Sequence, residues 1–175
     1  MARNIPSKIS GVLMPDRPLN EFEEHVYKIA QRLGKSDPEQ ETWDIDVNAL
    51  NLTFHSATRS PAEISFLLTV APKHCNFLGN LHGGCAATLF DVLSSMILLG
   101  VSKPGAFEFG GVSRHLDVTY IRPVPVGMTV KLTSRVVHMG KRLALMRSEI
   151  VKLDSGDVCM VSDHEKANTD PEVKL

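Results

Sequence analysis

The sequence predicts an α+β fold in which a long central helix is wrapped by a curved antiparallel sheet, with a short helix near the N-terminus. Three observations predict it. An almost wholly apolar segment of helical length lies mid-chain, at 84–99. Four β-like segments with short turn-rich links follow it, at 112–122, 128–139, 142–153 and 157–167. An amphipathic segment with start and stop signals precedes it, at 21–33.

The composition is ordinary for a globular chain, with 43% hydrophobic and 22% charged residues among 175. A net charge of −1 gives no reason to expect nucleic acid or an anionic membrane as a partner. The longest apolar run, Met96–Val101, is far short of the ~20 residues that cross a bilayer. We therefore expect no membrane span.

Cysteine usage and the N-terminus together predict the compartment. The three cysteines are far apart and lack CxxC spacing, which favours free thiols in a reducing environment (Cys75, Cys85 and Cys159). The N-terminal residues 1–18 lack the apolar stretch of a secretory signal. We expect a cytoplasmic or organellar-matrix protein that is not secreted, with mitochondria and peroxisomes left open.

The first helix has clear boundaries. Asn20 is a good N-cap, and Glu23 is placed to complete a capping box with it, while Gly34 ends the segment. Its apolar residues fall on one face: Phe22, Val26, Ile29, Ala30 and Leu33. We expect residues 1–40 to form an N-terminal arm and helix, and residues 41–170 to form the main domain.

The strands follow from alternation and turn signals. Residues 45–54 alternate in part, and residues 63–71 form an apolar run closed by Pro72. The four later segments are separated by turn-forming residues, namely Pro123 to Gly127, Gly140-Lys141 and Asp154 to Asp157. Segments near ten residues long with short links predict an antiparallel meander.

The central helix carries one polar stripe. Gly84, Thr88, Asp91 and Ser95 recur at spacings of four, three and four, which places them on one narrow face. A carboxylate inside a buried helix is costly unless it has partners. Asp91 is therefore either a structural residue that caps a turn or meets solvent, or a buried general base.

A glycine turn starts the same helix. Two glycines, Gly83 and Gly84, allow a ligand to approach the backbone, and the first N–H groups of a helix lack internal partners. The turn is a candidate oxyanion hole, although Gly-Gly also makes a plain turn. Asp91 lies roughly 10–12 Å further along by helix rise. We therefore expect the two ends to come from different subunits.

Three motifs in this order resemble those of hotdog-fold acyl-CoA thioesterases. They are Asn76-x-x-Gly79-x-Leu81-His82-Gly83-Gly84-x-x-Ala87-x-Leu89-x-Asp91, then Gly111-Val112-Ser113 with Leu116-x-Val118-x-Tyr120-Ile121-Arg122-Pro123, then His138-x-Gly140-Lys141-x-Leu143-Ala144. The similarity covers about residues 45–167. It is greatest to the branch with the His-Gly-Gly motif, which includes bacterial phenylacetyl-CoA thioesterases and mammalian medium- and long-chain acyl-CoA thioesterases.

The resemblance implies a role for each matching catalytic position. Asp91 would be the general base or nucleophile, supplied across a dimer interface. The Gly83 N–H would bind the thioester oxygen, and Asn76 and His82 would orient the thioester or water. Ser113 would help to position the attacking water beside the aspartate.

The resemblance also implies a path for the substrate and its coenzyme. Residues that would line this path are Gly84, Tyr120, Arg122, Pro123, His138, Gly140, Lys141 and Arg142. Lys141 and Arg142 suit phosphate groups as charged partners. The alternative for this pair is an ordinary hairpin tip with solvated charges.

Other chemistries are weaker fits to the sequence. Cys85 lies near a helix start, where a thiol can have a lowered pKa, but it also suits a small buried apolar position. His82 with Asp91 suggests a hydrolase triad, yet no Gly-x-Ser-x-Gly elbow occurs.

The seven histidines show no metal-ligand spacing, so no metal is expected. Of these histidines, we expect His25, His55 and His164 to lie at the surface. Arg114 and His115, which follow Ser113, are bulkier and more basic than the residues expected from the family at these positions.

The combined prediction is hydrolysis of an acyl-CoA by water to a carboxylic acid and free coenzyme A, without a metal or redox cofactor. The expected assembly is a homodimer or a dimer of dimers whose sheets join edge to edge. Two alternatives stay open. One is a non-catalytic acyl-CoA-binding protein of the same fold, and the other is an enzyme that releases acyl or polyketide chains from a carrier protein. The preferred acyl group, aliphatic or aromatic, is not predicted.

Overall fold

The computed structural model describes residues 12–33 and 50–171, which form two helices and six strands. In chain order the elements are α1 Glu21–Leu33, β1 Leu52–Arg59, β2 Ala62–Thr69, α2 Gly83–Val101, β3 Val112–Tyr120, β4 Thr129–Met139, β5 Leu143–Lys152 and β6 Val158–Ala167. A short 3₁₀ turn, Pro72–His74, lies between β2 and α2. The two helices and five of the six strands lie close to their predicted places, which confirms the α+β prediction.

All six strands form one antiparallel sheet with the order β1-β2-β4-β5-β6-β3. β4, β5 and β6 are a meander, as predicted. The prediction that β3 pairs with the next strand is wrong, because β3 pairs with β6 and β4 pairs with β2. β3 therefore ends the sheet at one edge, where its outer side has no partner within the described part of the chain.

The predicted strand 45–54 differs from β1, which begins at Leu52 and continues to Arg59. Leu52, Phe54 and Ala57 are buried, so the inward spacing changes from two to three residues. The cause is an irregularity in the pairing with β2 between Phe54 and Ser56. Residues 45–49 lie outside the described residues, as do Gly34, the 35–42 segment and the predicted domain boundary at 40/41.

α2 packs on the sheet and contacts every strand from β2 to β6. By length and composition alone it could cross a membrane, but half of that stretch is buried inside this domain. Its fully buried residues include Leu89, Phe90, Leu93, Met96 and Ile97, and each contributes roughly 1.5–3 kcal/mol through burial. This packing fixes which face of α2 remains open.

α1 is anchored by the predicted capping box. The Glu23 N–H donates to Asn20 Oδ1 (2.9 Å), and the Asn20 N–H donates to Glu23 Oε2 (3.0 Å). The helix then packs against α2 where a glycine removes the barrier to close approach. A Cβ added at Gly100 would lie 2.9 Å from Val26 Cγ2.

Candidate active site

Asp91 lies on the open face of α2 and is only half-buried within one chain. Its side chain is 47% exposed, whereas Leu89, Phe90 and Leu93 around it are fully buried. Within one chain the stripe is therefore only partly covered: Ser113 and His164 contact the Asp91 carboxylate, and the rest of this side chain meets solvent.

β3 brings Ser113 beside this carboxylate. The Ser113 hydroxyl donates a hydrogen bond to Asp91 Oδ1 over 3.1 Å. Ser113 is the second residue of β3, at the free edge of the sheet. Its hydroxyl can thus hold the orientation of the carboxylate while the other carboxylate oxygen stays available to a water molecule.

Behind Ser113 lies His164, which is predicted from the sequence to lie at the surface. That prediction is wrong, since His164 is 1% exposed. Its Nε2 is 2.8 Å from Ser113 Oγ and 3.4 Å from Asp91 Oδ1, and its Nδ1 is 2.6 Å from Ser94 Oγ. With Ser113 donating to Asp91, Nε2–H can donate to Ser113 and Nδ1 can accept from Ser94, whose hydroxyl also lies 3.2 Å from the Asp91 backbone carbonyl. We call Ser94, His164, Ser113 and Asp91 the Asp91 network.

Burial sets the charge of this network. It lowers the pKa of His164 to about 4, against the opposing effect of the Asp91 carboxylate and with a further lowering by Lys166. Burial also lowers the pKa of Lys166, whose ammonium donates to Ser95 Oγ (2.8 Å). His164 is therefore a neutral hydrogen-bond donor at physiological pH, while Asp91 has a buried cation in its neighbourhood.

The glycine turn lies at the other end of the α2 face. His82 is the N-cap, and its Nδ1 accepts from the Gly84 N–H over 3.0 Å. Gly83 packs under Tyr120, whose hydroxyl donates to the Gly83 carbonyl (2.8 Å). Because a Cβ at Gly83 would lie 3.3 Å from the Tyr120 ring, the close packing favours glycine here. The Gly84 N–H is occupied by His82, whereas the Gly83 N–H has no acceptor among residues 12–33 and 50–171 and can donate to a ligand.

Several predicted residues meet in one cleft of about 410 Å³ at this turn. We call it the glycine-turn cleft; its lining includes Asn76, Gly83, Tyr120, Arg122 and Pro123. Asn76 Oδ1 accepts from two backbone N–H groups, of Leu78 (3.0 Å) and Asn80 (3.2 Å). These bonds fix the amide and leave its Nδ2 as the group able to donate to a ligand. The Arg122 guanidinium donates to the Val158 carbonyl (2.7 Å).

A third group of predicted residues surrounds the β4–β5 turn. Lys141 and Arg142 line a groove of about 540 Å³, together with Pro104, Gly105, Leu143, Ala167, Asn168, Asp170 and Pro171. We call it the hairpin groove. Gly140 is close to the His138 ring, since a Cβ at Gly140 would lie 3.2 Å from His138 Nε2. Lys141 and Arg142 are exposed, and neither forms an ion pair with the described residues.

One chain does not bring these groups together. Asp91 is eight residues, or about 12 Å of helix rise, beyond Gly83. Asp91 and Ser113 are absent from the lining of the glycine-turn cleft, and the hairpin groove shares no lining residue with that cleft. A reaction centre that uses both Asp91 and Gly83 needs a second source for one of them.

The rival chemistries find little support in the geometry. Burial raises the pKa of the Cys85 thiol, as does the nearby Cys75, so Cys85 is a poor thiolate nucleophile at neutral pH. His82 is committed to capping α2, and the histidine near Asp91 is His164 instead. Within residues 12–33 and 50–171, no group of three or more His, Cys, Asp or Glu side chains could hold a metal ion.

Comparison with known proteins assigns the class. A family model described as the thioesterase superfamily matches residues 78–159. Acyl-coenzyme A thioesterase 13 from Homo sapiens is 31% identical over 107 residues, which are 61% of this chain and 74% of that protein. The chain belongs to the thioesterase superfamily, whose members are thioester hydrolases.

Two solved structures show the same fold. Thioesterase superfamily member 2 from Mus musculus is 30% identical with a TM-score of 0.60, covering 66% of this chain and 80% of that one. The zebra fish thioesterase superfamily member 2 is 25% identical with a TM-score of 0.67, covering 87% of this chain and 99% of that one. These similarities confirm the predicted hotdog fold.

Proposed function

We propose that the protein hydrolyses acyl-coenzyme A thioesters to a carboxylic acid and free coenzyme A, with Asp91 as the general base. The observation that carries the proposal is the Asp91 network, in which Ser113 donates to Asp91 (3.1 Å) and His164 contacts Ser113 (2.8 Å). A purely binding protein has no need of an oriented carboxylate on an open face. The human relative's name supports coenzyme A as the carrier of the acyl group.

The chemistry follows from the proton arrangement. Ser113 holds Asp91 Oδ1, so Oδ2 accepts a proton from a water molecule as the water oxygen attacks the thioester carbonyl. The carbonyl oxygen becomes an oxyanion, and a backbone N–H at Gly83, at the positive end of α2, stabilises it. The C–S bond then breaks, the coenzyme A thiolate leaves, and it takes up the proton that Asp91 accepted, which restores the carboxylate. The reaction consumes water and requires no resident cofactor.

We propose that the site is shared between two subunits. β3 ends the sheet and exposes apolar side chains there, with Val112 53% and Tyr120 51% exposed. Antiparallel pairing of two β3 strands about a twofold axis near their middle would set Ser113 of one chain opposite the partner subunit's Tyr120. Because Tyr120 packs on Gly83, the partner's glycine-turn cleft would then face Asp91.

The hairpin groove suits the other end of the substrate. Coenzyme A carries phosphate groups, and the exposed cations Lys141 and Arg142 can form charge-assisted hydrogen bonds with them. We propose that this groove binds the nucleotide. The three free cysteines favour a reducing compartment for the reaction, such as the cytoplasm or an organellar matrix.

The test is Asp91→Asn, assayed by thiol release from a panel of acyl-CoA and acyl-carrier-protein substrates. The amide cannot accept the water proton, so kcat should fall by about 10²-fold or more while the fold persists. The matched control is Glu149→Gln, which neutralises an exposed carboxylate on strand β5.

The outcomes separate the alternatives. Full activity of the Asp91→Asn protein, with unchanged thermal unfolding, would refute the general base. Turnover of acyl-carrier-protein substrates but not of acyl-CoA would show that the leaving group is a carrier protein and not coenzyme A.

A further inference from the structure

The hairpin groove is built from three chain segments that are distant in sequence. Its walls come from Pro104 and Gly105 after α2, from 141–143 in the β4–β5 turn, and from 167–171 after β6. None of these segments is part of the Asp91 network or of the glycine-turn cleft. The shape of the groove therefore depends on what ties the three segments to one another.

Asn168 forms that tie. Its side-chain Nδ2 donates to the carbonyls of Gly105 (3.0 Å) and Lys141 (3.1 Å), one on each of the other two segments. Its Oδ1 accepts from the backbone N–H of Phe107 (3.2 Å), and its own N–H donates to the Arg142 carbonyl (2.8 Å). One amide thus uses both donors and its acceptor to join all three walls.

A neighbouring carboxylate reinforces the same junction. Asp170 accepts from the Glu108 N–H (2.6 Å) and the Phe109 N–H (3.3 Å), and its own N–H donates to Asn168 Oδ1 (3.1 Å). Backbone donors therefore hold the acidic side chain that lines a groove with two cations. Lys141 and Arg142 remain the exposed charges of the β4–β5 turn.

We propose that Asn168 is a positioning residue that shapes the hairpin groove and so places Lys141 and Arg142 for the phosphates of coenzyme A. The proposal rests on the proposed function for the identity of the ligand. The role is one of specificity: it favours a thioester that carries the nucleotide over the same thioester without it. We expect the chemistry at Asp91 to be unaffected, because none of the hydrogen bonds of Asn168 with the described residues reaches the Asp91 network.

The experiment compares two substrates with the same acyl group, one on coenzyme A and one on N-acetylcysteamine, which lacks the phosphates and the nucleotide. Asn168→Ala should raise KM for the acyl-CoA about tenfold and leave kcat within about twofold. Its kcat/KM for the short thioester should equal that of the parent. Asn168→Gln keeps the amide but moves it by one methylene, and the same substrate-dependent loss is expected.

Ser155→Ala is the matched control, because it removes a side chain that ties the β5–β6 turn, outside the lining of the groove. It should change neither substrate's KM. Equal losses on both substrates for the Asn168 variants, or an unchanged KM for the acyl-CoA, would overturn the proposal.

Calorimetric titration with coenzyme A keeps this proposal separable from the proposed function. Weaker binding to Asn168→Ala than to the parent supports the role of Asn168 even if the parent hydrolyses no acyl-CoA. Normal hydrolysis with equal coenzyme A affinity in both proteins overturns the role of Asn168 and leaves the proposed function intact.

Discussion

Each hydroxyl in the Asp91 network has a single proton to give, which makes the order of donors matter. Ser113 donates its proton to Asp91, so its oxygen is free to accept a hydrogen bond. His164 Nε2 lies 2.8 Å from Ser113 Oγ and can donate it. His164 in turn needs Nδ1 to accept, and Ser94 Oγ lies 2.6 Å from it. Protonation of His164 would turn Nδ1 into a donor to Ser94, whose own hydroxyl would then donate to the Asp91 backbone carbonyl (3.2 Å).

His164 should make the protein less stable in mild acid, because burial penalises the charged form of its ring. Its pKa is about 4 in the folded chain and near the ordinary 6.5 in the unfolded chain, so the unfolded chain binds the proton first. The resulting stability is fully present above pH 6.5 and is lost as the pH falls to about 4. Each pKa unit corresponds to about 1.4 kcal/mol, so the loss amounts to a few kcal/mol.

Urea unfolding at pH 7 and pH 4.5 measures this effect in the parent and in His164→Gln. The glutamine amide can donate to Ser113 without titrating, so the variant should lose less stability between the two pH values. His25→Gln changes an exposed histidine and should behave as the parent. Parallel pH dependence in all three proteins would show that His164 is not the titrating group.

The burial of His164 could have been predicted from the two-residue period of a strand. In β6 every second residue points to the helix, and Met160, Ser162, His164 and Lys166 are all buried. The alternation therefore signals a buried histidine, but an isolated polar residue in a strand gives no indication of its partner. The family match ends at residue 159, so it includes only the first two residues of β6 and not His164.

At the scale of elements, α1 is held by one residue that serves several partners. The Glu23 carboxylate forms a bidentate pair with Arg17 (2.7 and 3.0 Å) and accepts from the Asn20 and Ala57 N–H groups. Arg17 also donates to the His55 carbonyl in β1 (2.6 Å). A single buried carboxylate thus links the start of α1 to the edge of the sheet.

Glu23→Gln should destabilise the protein at neutral pH by about 1–3 kcal/mol, since hydrogen bonds to a buried charge are lost. Arg17 is the main cause that lowers the pKa of Glu23 from 4.5 to about 2. The contribution is therefore present above pH 4.5 and is lost as the pH falls through 2. Urea unfolding should show a large difference from the parent at pH 7 and a small one near pH 2.

Glu24→Gln is the control for Glu23. Glu24 is exposed, and its ion pair with Lys28 spans 3.9 Å, so its loss should change stability by less than about 0.5 kcal/mol. An equal effect of both variants at pH 7 would contradict the anchoring role of Glu23.

Element boundaries followed from local signals, whereas strand partners did not. Caps and turns mark where α1 and the later strands begin and end, and those signals lie within a few residues of each boundary. The pairing of β3 with β6 joins segments some 40 residues apart, and no local pattern encodes it. The pairing irregularity after Phe54 likewise hid the true extent of β1, because it interrupts the alternation.

For the whole molecule, the separation of Asp91 from Gly83 along one helix leads to a prediction about how subunits share a reaction centre. If each reaction centre takes Asp91 from one chain and Gly83 from the other, two different inactive variants can restore a centre together. If both come from one chain, no mixture can do so.

The test mixes Asp91→Asn and Gly83→Val chains by unfolding and refolding them together. Random pairing makes half of the dimers mixed, and each mixed dimer has one intact shared centre, so about a quarter of parent activity should return. Each variant refolded alone should remain inactive, and parent chains refolded alone give the reference. A mixture as inactive as its components would place the whole centre within one chain.

The contact between Gly100 and Val26 has a practical meaning for anyone who shortens this polypeptide. Since glycine has no side chain to separate the two helices at Gly100, α1 packs closely on the C-terminal half of α2 and covers it. The segment matched by the family model, 78–159, omits α1, β1, β2 and all but the first two residues of β6. A fragment with those limits would expose the apolar surface of α2 to water. We expect it to aggregate, so it would be unsuitable for activity measurements.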